Sequence, residues 1–198
     1  MTLCGIKILK SSFQATTLRT AGFATVTQNE LRSVSKLLAI CLMFIGGSPA
    51  STAGGIKTVT LGVIILLIIN YIKGNQDITI FSRRISSGSV NRAIVVLIIS
   101  IFIVITAVSL LLITENWEMQ KNHVQINDIV FEVVSAFATV GLTLGITSNL
   151  TFIGKVIIII LMIIGRLGPI TISIALFKKH KEIKPAKVQY PQGNVLIG

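Results

Sequence analysis

The chain has 198 residues, of which 52% are hydrophobic and only 13% are charged. Soluble domains carry nearer a quarter charged residues, and here the apolar residues fall in blocks, so the composition excludes an ordinary soluble domain and indicates a bilayer. The net charge of +11 does not indicate nucleic acid, because the basic residues stand mostly between and after the apolar blocks, where the positive-inside rule puts them.

The first element is a short helix over 6–17 (IKILKSSFQATT), half polar and too short to cross a membrane. A turn with Thr20, Ala21, Gly22 and Phe23 follows. The first apolar block then runs over 31–72 and contains FIGGSPASTAGGIKT. Each mid-helix Gly costs roughly 1 kcal/mol relative to Ala, and a proline costs more. Gly46, Gly47, Pro49, Gly54 and Gly55 together should therefore break the helix. Its halves, 31–45 and 56–72, can span only as one interrupted helix. Ser48, Ser51 and Thr52 can satisfy freed backbone groups, and with Ala50 and Ala53 they keep the stretch small enough to fold into a narrow cavity. Broken helices in transporters mark conduction sites, so 46–55 is read as a gate. The plainer alternative is close helix packing through small residues. A phosphate-cradling loop is dismissed: Ile56 separates Gly55 from Lys57, and no strand precedes.

A cytoplasmic loop is expected over 74–90, followed by a second apolar block over 91–117 that is long enough to span alone, with Trp117 as an interfacial anchor. An external loop carries Glu118 and His123, the latter with no second metal ligand nearby. A second short helix over 126–138 (INDIVFEVVSAFA) carries Glu132, expected at its outer, wetter face. The second turn holds Thr139, Val140, Gly141 and Leu142. The third block, 150–181, contains Arg166 near or past mid-membrane, where an Arg usually has a partner. Arg166 is expected to hydrogen-bond carbonyls of the 46–55 loop and to raise the barrier for a cation. The alternative is a side chain that snorkels to the headgroups. Arg19, just before the first turn, is a second candidate brace. Lysines and arginines flanking 73–92 and filling the tail put both in the cytoplasm, so both short helices enter from outside.

The two halves repeat. LRTAGFATVTQNELRSVSKLLAICLMFIGG aligns without a gap on FATVGLTLGITSNLTFIGKVIIIILMIIGR at an offset of 119, the difference between Gly22 and Gly141. The unit is short helix, turn, long helix. Non-helical backbone at membrane depth survives only inside protein or along an aqueous cavity, so the pattern suggests a pore. Glycine in each turn lets backbone carbonyls approach a dehydrated ion, and the helix before it aims its negative end there. The alternative is that Gly22 and Gly141 merely cap helix ends.

RTAGF, FIGGSPASTAGGIKT, FATVGLT and GRLGPIT in this order resemble the last part of the Trk/Ktr/HKT potassium transporters, most of all the Ktr-type membrane subunits of bacteria. The resemblance covers almost the whole chain. It implies an all-α membrane protein of M1–pore helix–M2 units, four to a pore: 1–73 as a third unit without its M1, 74–90 as a cytoplasmic loop, 91–180 as a complete fourth unit and 181–198 as a cytoplasmic tail. The chain is then a fragment of the full subunit. The resemblance further implies potassium uptake across the plasma membrane, with filter carbonyls from Thr20–Phe23 and Thr139–Leu142 positions, an intramembrane loop as gate, and sodium as a coupling ion in many members. It implies a homodimer of the full-length subunit and a cytosolic nucleotide-binding regulatory ring. No catalytic constellation, cofactor or nucleic-acid partner is expected. The competing reading is a membrane scaffold or assembly fragment that conducts nothing.

Overall fold

The computed structural model describes residues 3–49, 51, 53–74, 79–80, 83–115 and 124–168. The expectations for Ala50, Thr52, Trp117, Glu118, His123, the end of the third block and the tail lie outside the described residues. Among the described residues the chain forms α1 (Leu3–Thr17), α2 (Ser33–Phe44), α3 (Thr58–Ile72), α4 (Ser87–Thr114), α5 (Ile126–Phe137) and α6 (Phe152–Leu167). A two-residue antiparallel hairpin pairs Thr79 with Arg84 and Ile80 with Arg83 inside the basic loop. It is too short to build a sheet layer, so the architecture is helical.

At 1.5 Å per residue, the 28 residues of α4 reach about 42 Å, more than the hydrocarbon thickness of a bilayer. Among the described residues α4 is the one helix long and apolar enough to cross by itself. It begins earlier than the apolar block because Ser86 caps it, accepting the Ser89 N–H at 3.3 Å. The first apolar block is interrupted as its glycines and proline require: α2 has 12 residues, α3 has 15, and the described residues between them are not helical.

α5 lies at the centre. Ile129, Val133 and Phe137 pack with Ala107 and Leu111 of α4 and with Ile158 and Leu161 of α6. Phe131, Val134 and the following Ala138 and Val140 pack with Ala39 and Met43 of α2. Phe44 stacks on Phe137 with ring centroids 6.1 Å apart. α1, the matching short helix, instead leaves Ile8 and Leu9 about 60% exposed.

The start of α6 is fastened to the end of α4. Glu115, only 3% exposed, accepts the Thr151 hydroxyl at 2.5 Å and the Thr151 N–H at 3.1 Å. Gly154 makes room for that carboxylate, which an added Cβ would strike. A negative group at a helix N-terminus is favourable. The 3-10 turns Gln28–Glu30 and Thr147–Asn149 and the starts of α2 and α6 stand at the same offset of 119. The helices then diverge, α2 ending at Phe44 and α6 running on to Leu167.

Candidate functional site

The two turns are built alike. After α1, the Ala21 and Gly22 N–H groups both donate to the Thr17 carbonyl, at 3.2 and 3.3 Å. After α5, the Val140 N–H donates to the Ser135 carbonyl at 2.9 Å. Thr20 and Thr139 hold φ of 67° and 54°, and Gly22 and Gly141 hold φ of 76° and 84°. A left-handed conformation at a β-branched residue is rare, yet it occurs at the same place in both copies. Behind each turn a hydroxyl pins a carbonyl. Thr17 Oγ1 donates to Phe23 O at 2.5 Å, and Ser135 Oγ donates to Leu142 O at 2.6 Å. One lone pair of each of these two carbonyls is therefore used inside the protein.

The turns meet. The Val140 carbonyl oxygen lies against Gly22 where a side chain would start, so only glycine fits there. Gly141 faces open space: nothing lies within 4 Å of where its Cβ would be. It opens on a cavity of about 510 Å³, also lined by Ser135, Thr139, Met162, Ile163 and Arg166. The second turn is buried at Val140 and Leu142, while Phe23 of the first is 72% exposed.

The broken stretch folds back as a loop on the second turn. Ile45 and Ile56 form a parallel bridge, with the Ile56 N–H donating to Phe44 O at 3.2 Å and the Thr58 N–H to Gly47 O at 3.1 Å. Ser48, Pro49 and Ser51 are exposed at the tip, and Gly54 and Gly55 are buried on the return. Gly46 lies against the Gly54 carbonyl, and a Cβ at Gly47 would sit 2.6 Å from the Ala53 Cβ. The Gly54 N–H donates to Thr139 Oγ1 at 3.0 Å, tying the loop directly to the turn.

Arg166 was expected to hold the loop carbonyls. It is exposed on the cavity wall and bonds none of them among the described residues. The side chain that does so is Lys57, whose Nζ donates to Ala53 O at 2.6 Å and to Ser51 O at 3.1 Å. Lys57 stands at the N-cap of α3, one turn from the carbonyls it reaches, so the loop's own geometry delivers the amine. The signal for it in the sequence is a lone Lys two residues after the glycine-rich break. Arg19 is exposed and braces neither turn among the described residues. Glu132 corrects an expectation. It is not at a wet face but 6% exposed, because the chain after the second turn folds over it and Thr147 donates its hydroxyl to Glu132 Oε1.

The TrkH family, described as cation transport protein, matches residues 2–185. The chain is 42% identical to the Ktr system potassium uptake protein B of Bacillus subtilis, over 97% of this chain and 41% of that protein. It is 36% identical to the potassium/sodium uptake protein NtpJ of Enterococcus hirae, over 97% of this chain and 42% of that one. It is also 36% identical to the Ktr system potassium uptake protein B of Vibrio alginolyticus, over 96% of this chain and 39% of that one. The chain thus spans about two fifths of the length of these curated relatives. Cation transport is the family's business and is not an enzyme class. With the match running along almost the whole chain, this protein belongs to the TrkH family of cation transport proteins.

Proposed function

We propose that this chain forms part of the ion pathway of a potassium-uptake transporter. The two turns contribute backbone carbonyls of Thr20, Ala21 and Gly22 and of Thr139, Val140 and Gly141 to a filter that replaces the water of a potassium ion. The pinned carbonyls of Phe23 and Leu142 orient the end of each turn. α1 and α5 are pore helices, and their C-terminal ends, which lead straight into the turns, stabilise the cation there. Further copies of the unit, supplied by the rest of a full-length subunit, complete the ring. The chain then crosses the plasma membrane several times, with α4 as a complete span and α2 with α3 as an interrupted one. A homodimer of the full subunit and a cytosolic nucleotide-binding ring complete the assembly, and sodium serves as coupling ion.

The loop over 46–55 is the gate. Lys57 fastens its carbonyls, Gly54 seats it on Thr139, and Arg166 adds positive charge to the cavity below the filter. One observation carries the reading: two glycines at matched positions hold the same left-handed geometry, and one turn's backbone rests on a carbonyl of the other.

The test is Gly141→Ser in the full-length protein, with uptake of potassium and sodium measured in cells lacking other potassium uptake. A side chain at φ of 84° strains the turn by about 1–2 kcal/mol. Preference for potassium over sodium is expected to fall by roughly five- to thirtyfold, the factor that such an energy corresponds to. Undiminished preference would remove the filter assignment.

A further inference from the structure

We infer that Glu132 is a positioning residue for the second turn, acting through the Thr143 and Thr147 hydroxyls and never touching the ion. The inference rests on the filter reading above.

The segment after Gly141 is fastened to α5 at two points. Ser135 holds the Leu142 carbonyl at 2.6 Å. One turn earlier on the same helix, Glu132 Oε1 accepts the Thr147 hydroxyl. Between these points the Thr143 and Thr147 hydroxyl oxygens are 2.9 Å apart, and the Gly145 N–H donates to Thr143 Oγ1 at 2.9 Å. Thr147 gives its proton to Glu132, and the Thr143 hydroxyl beside it is held against the same carboxyl group. Thr143 Oγ1 in turn accepts the Gly145 N–H. The carboxyl group thereby anchors the links back to Gly145, whose φ of 90° continues the turn's left-handed geometry.

The same fastening recurs in the first copy with different chemistry. Gln28 occupies the position of Thr147 at the offset of 119. Gln14 of α1 donates to Gln28 Oε1 at 2.7 Å, and Gln28 donates to Val26 O at 2.8 Å. Thr17 meanwhile pins Phe23, the counterpart of Leu142. Each copy thus ties the 3-10 turn beyond its glycine back to the helix before it. One copy uses an amide pair, the other a carboxylate and two hydroxyls. Two unrelated solutions at one position indicate that the tie itself is what matters. Glu132 is buried against Thr147, Thr143 and the Leu144 backbone, and a buried carboxyl group costs more than an apolar side chain there would. Packing alone does not account for it.

The test compares Thr147→Val, Thr147→Ser, Glu132→Leu and Glu132→Gln in the full-length transporter, with Gly141→Ser as reference. The readout is the ratio of potassium to sodium uptake, which does not depend on how much protein reaches the membrane. Thr147→Val and Glu132→Leu are expected to lower the ratio roughly fivefold, the factor that corresponds to about one net hydrogen bond. Thr147→Ser keeps the donor and Glu132→Gln keeps an acceptor, and both are expected to stay within about twofold of the parent on the same scale. If Glu132→Leu fails to accumulate, Thr147→Val, nearly isosteric, decides alone. A parental ratio in Thr147→Val, while Gly141→Ser loses selectivity, overturns the brace and leaves the filter standing. Equal loss in Glu132→Gln and Glu132→Leu also overturns it, since an acceptor would then not suffice. A parental ratio in Gly141→Ser overturns the filter reading and this inference with it.

Discussion

Gly54→Ala probes the seat of the loop on the second turn. The added Cβ would lie 2.7 Å from Thr139 Oγ1, 2.8 Å from Thr139 Cγ2 and 2.8 Å from the Ala138 carbonyl oxygen, where ordinary contact begins at 3.4 Å. Neither neighbour yields easily: one is backbone at a helix end, and the other is a β-branched side chain with few rotamers. The loop must therefore retreat by about 0.6 Å, which stretches the 3.0 Å bond from the Gly54 N–H to Thr139 beyond useful range. Overpacking and the lost bond together cost the seated loop about 1–3 kcal/mol, a shift of roughly 5- to 150-fold toward the unseated state. The assay is rubidium flux into proteoliposomes carrying the purified full-length protein without its regulatory partner. Flux is expected to rise severalfold, with the thermal midpoint lowered. Gly62→Ala is the control, because nothing lies within 4 Å of its Cβ, and in the middle of α3 it should favour the helix by up to about 1 kcal/mol. Flux through Gly54→Ala at or below the parent level would refute the reasoning, since an unseated gate cannot conduct less than a seated one.

Lys57→Met removes the amine that donates to two loop carbonyls, at 2.6 and 3.1 Å. Charged hydrogen bonds contribute roughly 1.5–3 kcal/mol, and partial exposure places this pair at the low end, so flux in the same assay should rise about tenfold. Because Lys57 and Gly54 hold one loop, the double variant should gain much less than the product of the singles. Gly165→Ala acts on the scaffold instead. Its Cβ would run into the Phe137 carbonyl oxygen and lie 2.7 Å from the carbonyl carbon, which forces α5 and α6 apart. A loss of about 1–3 kcal/mol should lower the melting midpoint by roughly 2–4 °C for each kcal/mol, measured on detergent-purified protein.

Much of this was legible in the residues because it is carried by local chemistry. The break between α2 and α3 follows from glycines and a proline too dense for any helix, and the observed ends, Phe44 and Thr58, fall within a few residues of the predicted halves. The turns were legible because Thr and Gly recur at one offset. What was not legible depends on long-range placement. Lys57 and Arg166 both follow glycine-rich or apolar runs, and nothing in the sequence says which of them reaches the loop carbonyls. The answer lies in how far the chain doubles back after Pro49. Glu132 looked like a surface acid because a half-polar helix of a dozen residues ought to keep its carboxylate wet. Its burial comes from the loop over 143–147 closing on it, a contact between segments that no periodicity encodes. Glu115 is hidden in the same way, by a helix start 36 residues further along.

The offset of 119 also sets side by side a helix that stops and one that runs through. At the offset of 119, Gly46 matches Gly165 and Gly47 matches Arg166. Both Gly46 and Gly165 are places where backbone meets backbone, but the backbone that arrives is different. Against Gly165 it is the end of α5, at the Phe137 carbonyl, so α6 can continue as a helix past the cavity. Against Gly46 it is the returning loop, at the Gly54 carbonyl. A helix cannot continue through space that its own chain re-enters, so α2 has to stop at Phe44. The next position then decides the electrostatics. The continuing helix can carry Arg166 into the cavity, whereas a residue of that size at Gly47 would collide with Ala53 and Ser51. On the proposed reading, the asymmetry of one residue pair, Gly47 and Arg166, separates a movable plug from a fixed positive charge facing the same passage.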